Sequence, residues 1–375
     1  MAKPKLLIVG AFPSSDSSIV GGIVTTCRLL IESDFPNYFD LILIDSTQRS
    51  NPPPNFYLRL LLAIGRTYRF FLALVFKQPD AVILFTAVGA SVAEKGFMAW
   101  IARLTKIPVF LFPRGAGLID VVRKNLWQKL WIVPAMRGAT HILCQGPSWQ
   151  NFAINDLGYS KKSAPIIYNW SATTQLLRVG SGKIMYRNKL TTKILFLGWL
   201  EEEKGIFELL EACRELSARH TFVLTVAGRG HAEDKSKKFI TKHNLESCVE
   251  LVGWVHGPQM IKILESADIL VLPSWAEGFP NAIIEAMAAK VAVIVTSVGN
   301  VPDMLQHRDQ AMIIPPKDVG LLTDALEELI VDSDFRSQLA QRGYSYARDN
   351  FSTEKGVQLL MVTIKSAIES SLVPR

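Results

Sequence analysis

With 375 residues, 49% of them hydrophobic and 20% charged, the chain is long enough for two domains and has a globular composition, which excludes a disordered or collagen-like protein. Its formal net charge of +7 is uneven: residues 1–170 hold 18 Lys/Arg and 9 Asp/Glu, so this half carries +9 and the remainder −2. The basic half directs attention to membrane, nucleic acid or another polyanion as a partner.

From the N-terminus, MAKPKLLIVG enters a strand after a few residues and leaves no stretch for a secretion signal. Short Val/Ile/Leu-rich runs then alternate with stretches of helical periodicity, the pattern of βα units around buried parallel sheets. The runs fall at 6–9, 41–44, 81–85, 109–112, 141–144 and 166–168, then at 194–197, 222–227, 249–252, 269–272, 291–295 and 312–314. This count predicts an α/β chain of two doubly wound domains, 1–170 and 193–350. Between them lies a polar linker, 171–192, centred on Gly180, Ser181 and Gly182. Ligand is expected between the domains, at the carboxyl ends of the strands. A last helix, 351–371, is expected to cross back to the first domain. Leu372-Val373-Pro374-Arg375 equals the residues left when thrombin cuts a tag linker, and has no functional role.

Within the basic half, residues 56–76 form the most hydrophobic segment, interrupted by Arg59, Arg66 and Arg69. Three guanidiniums are costly in a spanning helix, and on a helical projection they share one side, which suits a helix lying in the headgroup region. A second helix is expected over 121–137, where Arg123, Lys124, Lys129 and Arg137 interleave with Trp127 and Trp131. For either helix alone, packing on its own sheet is the plain alternative; together with the +9 half they favour peripheral membrane contact. Cys27, Cys144, Cys213 and Cys248 are 117, 69 and 35 residues apart, without the spacing of a zinc or redox site, as in a reduced cytosolic protein.

The densest stretch is 273–288, PSWAEGFPNAIIEAMA. A strand ends at Pro273, a glycine-containing turn follows, and Asn281 opens a helix that carries Glu285. Backbone N–H groups at such a helix start attract phosphate or another anion. Glu277 and Glu285 beside them can accept hydrogen bonds from sugar or ribose hydroxyls.

This stretch resembles the Glu-x7-Glu motif of retaining GT-B glycosyltransferases, the family 4 group that builds bacterial polysaccharides and lipid-linked glycans. FLGWLEEEKG at 196–205 is similar to that family's strand, turn and Lys-Gly. Ala227-Gly228-Arg229-Gly230 resembles its Gly-x-Gly, and Gly253-Trp254-Val255 the segment against the nucleotide base. Val298 to Asp303 resembles its Gly-x-x-Pro-Glu, with Asp303 for Glu. In the first half Val20-Gly21-Gly22-Ile23 is similar to the glycine loop near donor phosphates and acceptor, Pro113-Arg114-Gly115 to a Pro-Arg-Gly variant, and Tyr168-Asn169 to a Tyr-Asn pair closing the domain.

The resemblance implies two facing Rossmann-like domains with an interdomain cleft, the first for the acceptor and the second for a nucleotide sugar. It implies that Lys204 neutralises the donor diphosphate, Glu285 holds the ribose hydroxyls and Glu277 touches the transferred sugar. The backbone of Gly278, Phe279, Pro280 and Asn281 would surround sugar and phosphate, and Gly21, Gly22, Gly198 and Val255 would complete the donor site. One departure stands out: Trp199 occupies the place where the family commonly has an Arg paired with the Lys. Arg229 or Arg114 would then supply the second positive charge, or Lys204 and helix N-termini would act alone. No metal is expected, because Asp332-Ser333-Asp334, the one Asp-x-Asp, lies in a late polar turn.

The implied activity is a retaining hexosyltransferase that moves a sugar from a nucleotide diphosphate sugar to a lipid-linked or oligosaccharide acceptor. The site would be the cytoplasmic face of the cell membrane, with peripheral attachment and no nucleic-acid partner. Uridine and guanosine donors both remain open. A sugar-nucleotide 2-epimerase of the same fold is a rival that needs acid and histidine groups for proton transfer at C2. A silent sugar-nucleotide or membrane-binding scaffold is another, supported by Trp199.

Overall fold

A computed structural model describes residues 3–13, 21–48, 54–115, 117–184 and 191–372. Val20 of the glycine loop, residues 185–190 of the expected linker and residues 373–375 of the expected thrombin remnant lie outside the described residues. The chain divides into two compact units, Met1–Trp170 with Thr353–Arg375, and Ser171–Ser352.

The first unit is built on a parallel sheet of β1 (Lys5–Gly10), β2 (Asp40–Asp45), β3 (Ala81–Thr86), β4 (Val109–Pro113) and β5 (His141–Ile142), in the order β2-β1-β3-β4-β5. Every residue of β3 and β4 is buried, as expected of strands covered on both faces, which read as continuous apolar runs. The run expected as a strand over 166–168 pairs only through a single bridge, Cys144 to Ile166. Leu6, Ile8, Ile83 and Phe110 face α1 (Gly22–Glu32), whereas Leu7, Val9, Val82 and Val109 face the opposite side. That opposite side is covered by α2 (Phe56–Leu72), α3 (Ala90–Arg103), α4 (Leu118–Lys124), α5 (Leu126–Met136) and α6 (Pro147–Asn155). The single helix expected over 121–137 is therefore two. Asn125 breaks it at φ −126°, ψ 106°, and its side chain accepts the Gln128 N–H at 3.1 Å to start the second.

The second unit opens on α7 (Thr174–Gly182), which corrects the expectation of a free linker over 171–192. Thr173 caps this helix by accepting the Leu176 N–H, and Leu176 and Gly180 are buried. The unit continues as β6 (Thr192–Leu197), α8 (Ile206–Leu216), β7 (Phe222–Ala227), α9 (Glu233–Lys242), β8 (Val249–Gly253), α10 (Gly257–Ser266), β9 (Ile269–Leu272) and α11 (Asn281–Ala288). It ends with β10 (Ala292–Thr296), α12 (Val301–Met304), β11 (Met312–Ile314), α13 (Val319–Val331) and α14 (Ser333–Asn350). Its parallel sheet has the order β11-β10-β9-β6-β7-β8, the doubly wound order whose switch point falls between β6 and β9. The last helix, α15 (Thr353–Leu372), belongs to the first unit. Val357, Leu360, Ile364 and Ile368 enter that core beside Trp170, whose carbonyl accepts the Thr353 hydroxyl at 2.8 Å.

Candidate functional site

At a topological switch point the connections leaving two neighbouring strands part company and open a crevice at the carboxyl ends. Lys204 follows β6 and Glu277 follows β9, and the fold brings them together: Lys204 Nζ donates to Glu277 Oε1 at 2.5 Å. Two glycines make this approach possible. Gly205 has φ 72°, and a Cβ there would stand 2.1 Å from the Pro273 carbonyl oxygen, so only glycine lets the start of α8 reach the end of β9. Gly299, at φ 57°, plays the same part for the Glu277 carbonyl, 1.9 Å from the position of a Cβ. Asn300 N–H then donates to Gly278 O at 2.9 Å, and Trp275 N–H to Glu203 O at 2.8 Å.

The carboxylate of Glu277 is buried and held from two sides. Ser274 Oγ donates to the same Oε1 at 2.8 Å, and Thr296 Oγ1 donates to the Ser274 carbonyl at 2.5 Å. Lys204 spends one of its three N–H donors on Glu277, which leaves the ammonium able to meet an anion while its position stays fixed. Beyond Gly278, Phe279 is buried with its ring 5.3 Å from that of Phe351, so its side chain serves packing. Pro280 caps α11 without a side-chain hydrogen bond, and Glu285 is buried in that helix's second turn. The motif from 277 to 285 is thus a strand end, turn and helix start at the switch point.

Across β6 and β7, Gly198 N–H donates to Ala227 O at 3.1 Å and Leu200 N–H to Arg229 O at 2.9 Å, which locks the two glycine turns together. Trp199 does not reproduce a cation: it packs on Trp254 with ring centroids 5.0 Å apart and planes at 43°. Arg229 is exposed and lies beside Gly253, while Val255 is buried. Of the three acids after β6, Glu201 pairs with His231 at 3.0 Å and Glu202 with Lys235 at 2.5 Å, so these two carboxylates are drawn away from Lys204.

In the first unit, Gly21 and Gly22 start α1, and Arg114 follows β4. Arg114 Nη2 donates to Thr26 Oγ1 in the first turns of α1 at 2.7 Å, and its guanidinium lies over the Phe112 ring. Burial pushes its pKa down to about 10, which leaves it charged at neutral pH, and its Nη1 is enclosed without a hydrogen-bond partner. An enclosed guanidinium with an unused donor is a place for an anion or a strong acceptor. Arg114 N–H to Thr86 O at 2.7 Å and Gln145 Nε2 to Pro113 O at 2.6 Å fix the segment.

Ser274, Thr296, Thr26 and Gln145 hold the candidate residues or their backbone by hydrogen bonds, and none of the four stood out in the sequence. Ser274 lies inside the motif itself, and its burial three residues before Glu277 is the only local signal; the other three act across the fold. Among the described residues, no three His, Cys, Asp or Glu side chains gather as a metal site. Asp332 caps α14 by accepting the Phe335 N–H at 2.8 Å.

The fold and this crevice define an α/β protein of two Rossmann-like units whose second unit is similar to a sugar-transferring family: residues 186–346 match Glycosyl transferases group 1. The fold is shared with sucrose-phosphate synthase from Thermosynechococcus elongatus, at a TM-score of 0.76 and 15% identity over 98% of this chain and 100% of that one. It is also shared with Anabaena Alr3699/HepE in complex with UDP and glucose, at a TM-score of 0.70 and 16% identity over 97% and 100%. Among relatives in sequence, the amylovoran biosynthesis glycosyltransferase AmsK of Erwinia amylovora is 33% identical over 36% of this chain and 35% of its own length. The chain spans less than half the length of several such curated relatives.

Proposed function

We propose that this protein is a retaining hexosyltransferase that moves a sugar from a nucleotide diphosphate donor to a lipid-linked or saccharide acceptor in the building of cell-surface polysaccharide. The observation that carries the reading is the Lys204–Glu277 pair at the switch point, 2.5 Å long and set beside the start of α11. In this reading the donor diphosphate lies against Lys204 and the start of α11, where the ammonium charge and the positive end of the helix favour it. Glu285 accepts from the ribose hydroxyls, and Glu277 accepts from the transferred sugar. The bond from C1 to the phosphate oxygen breaks with its electron pair passing to the phosphate. The acceptor hydroxyl forms the new bond on the same face of the sugar, and its proton goes to the departing phosphate. Charge builds on the leaving group, so Lys204 stabilises the transition state by several kcal/mol in a desolvated site.

Within the second unit, Arg229 supplies the second cation that Trp199 does not, or Lys204 and the helix N-termini act alone. No metal takes part. UDP in the related HepE structure and the name of AmsK support a nucleotide sugar donor and a polysaccharide product. In this reading a lipid-linked acceptor is met at the cytoplasmic face of a membrane.

The test is turnover of a panel of nucleotide sugars, in the presence of a chelator, with lipid-linked and free saccharide acceptors and the product anomer read by NMR. Transfer with retained configuration is expected. Inverted product would overturn the retaining step, and binding of nucleotide sugar without any turnover would establish the silent scaffold that Trp199 favours.

A further inference from the structure

An amphipathic helix on a soluble domain turns its apolar stripe to the core. Helix α2 does the reverse. Tyr57, Leu61, Ile64, Tyr68 and Phe71 recur at helical spacing and are exposed, Tyr57 by 77%, and only Phe70 is buried. The side that meets the protein is the arginine side: Arg66 Nε and Nη2 donate to the two oxygens of Glu94 on α3 at 2.7 and 3.0 Å. Of the three arginines on one side of this helix, Arg66 is thus an internal clamp, and only Arg59 and Arg69 remain exposed.

The neighbouring helices continue the surface. Phe97, Trp100 and Leu104 are exposed on and after α3, and Leu126, Trp127 and Leu130 on α5, with Trp127 81% exposed. These helices are joined into one layer: Trp100 Nε1 donates to Pro134 O at 3.0 Å, Arg103 Nη1 to Arg137 O at 2.8 Å, and Gly96 lies against Ala135. An apolar face of this extent on one layer marks a surface that meets something.

We propose that the outer face of α2, α3 and α5 docks on an anionic lipid bilayer, with the apolar stripes among the upper acyl chains and the basic side chains at the phosphates. Charge chooses this occupant. Residues 56–77, 90–106 and 118–137 hold eleven Lys/Arg and two Asp/Glu, and both acids are engaged, Glu94 with Arg66 and Lys95, Asp120 with Lys124. A face with exposed Arg59, Arg69, Arg103, Lys106 and Lys129 repels a second copy of itself and attracts anionic headgroups. Helix α2 has 17 residues, about 26 Å of rise against about 30 Å of hydrocarbon, and carries three arginines, so it lies along the interface. Long basic side chains on its protein-facing flank reach the headgroup level from there. This rests on the proposed function only in giving a lipid-linked acceptor a place to arrive.

The test is co-sedimentation of the full chain with phosphatidylcholine vesicles and with vesicles containing about one-third phosphatidylglycerol, at about 0.1 and 0.5 M salt. Binding to the anionic vesicles is expected, weakened by salt. It should fall about tenfold or more in Arg59→Glu/Arg69→Glu, and likewise in Tyr57→Ser/Leu61→Ser/Trp127→Ser. Melting-temperature shifts with nucleotides should be unchanged in both variants, which shows that they fold and separates this surface from the Lys204 site. No binding by the wild-type chain, or equal binding by both variants, overturns the docking face. So does a dimer in light scattering that the serine variant abolishes, since the face would then be covered by a second copy. Vesicle binding without any nucleotide shift upholds the docking face and sinks only the transfer reaction.

Discussion

Helix α8 of the second unit turns Ile206, Leu209, Leu210, Cys213 and Leu216 into its core, whereas α2 of the first unit, no poorer in apolar residues, buries Phe70 alone. Helix α8 follows β6, a central strand of its sheet, and α2 follows β2, the edge strand of its own, and the two differ in what they meet. Packing of α8 sets the start of the helix against Pro273 and so places Lys204 on Glu277. The second unit spends its apolar residues on holding a small crevice to tight geometry. The first unit leaves many of them on the outside, which costs folding stability that a packed helix would have supplied. A helix can therefore serve function by what it positions or by what it leaves uncovered.

The comparison can be broken at either end, and the largest effect belongs to the crevice. Lys204→Ala should lower turnover about 1,000-fold, as loss of one transition-state donor does elsewhere, while nucleotide binding changes much less. Wild-type turnover would remove Lys204 from the chemistry. Glu94→Gln should cost about 3 kcal/mol in chemical denaturation, because it leaves the Lys95 ammonium buried beside a lost partner. Its pH dependence carries a sign. Burial raises the Glu94 pKa, but the Arg66 hydrogen bond and the Lys95 charge outweigh it, so the net value is lowered. The unfolded state then binds the proton more readily. The stabilisation is fully present above the ordinary carboxylate range and is lost as pH falls through the lowered value. The glutamine variant should lack that acid-side loss; an identical acid profile would show that the clamp contributes nothing.

A leucine pair tests the contrast most evenly. Leu210→Ala on α8 should destabilise by about 3 kcal/mol, and Leu61→Ala on α2 by less than about 0.5 kcal/mol, since the first is fully buried and the second 66% exposed. Equal costs in denaturant titrations would mean that α2 packs like α8. On the binding side, Glu285→Ala should weaken nucleotide binding about tenfold, the scale of one lost hydrogen-bond acceptor to a ribose, as read by calorimetry.

The buried strands were legible in the amino-acid order because strands covered on both faces are continuous runs of Val, Ile, Leu and Phe, and β3 and β9 begin where those runs begin. So was the crevice motif, since a strand end, a turn and a helix start are all local. Legibility failed where the answer was tertiary. Glycine and serine at 180–182 read as a linker, yet they end a helix packed in the second unit. The break at Asn125 was hidden because apolar periodicity runs through it. Thr296, Thr26 and Gln145 act on partners that only the fold brings near. The stripe on α2 was visible from its spacing, but spacing alone does not say which side of a helix faces the protein, and here the arginine side does.

The central claim, that the crevice around Lys204 and Glu277 holds a nucleotide sugar, is tested most directly by the melting temperature of the full chain against a panel of nucleoside diphosphates and nucleotide sugars in the presence of a chelator. A ligand that binds only the folded state raises the melting temperature according to its affinity. The account predicts a selective rise with one nucleoside diphosphate and its sugars, reduced in Glu285→Ala. No rise with any member of the panel would contradict it.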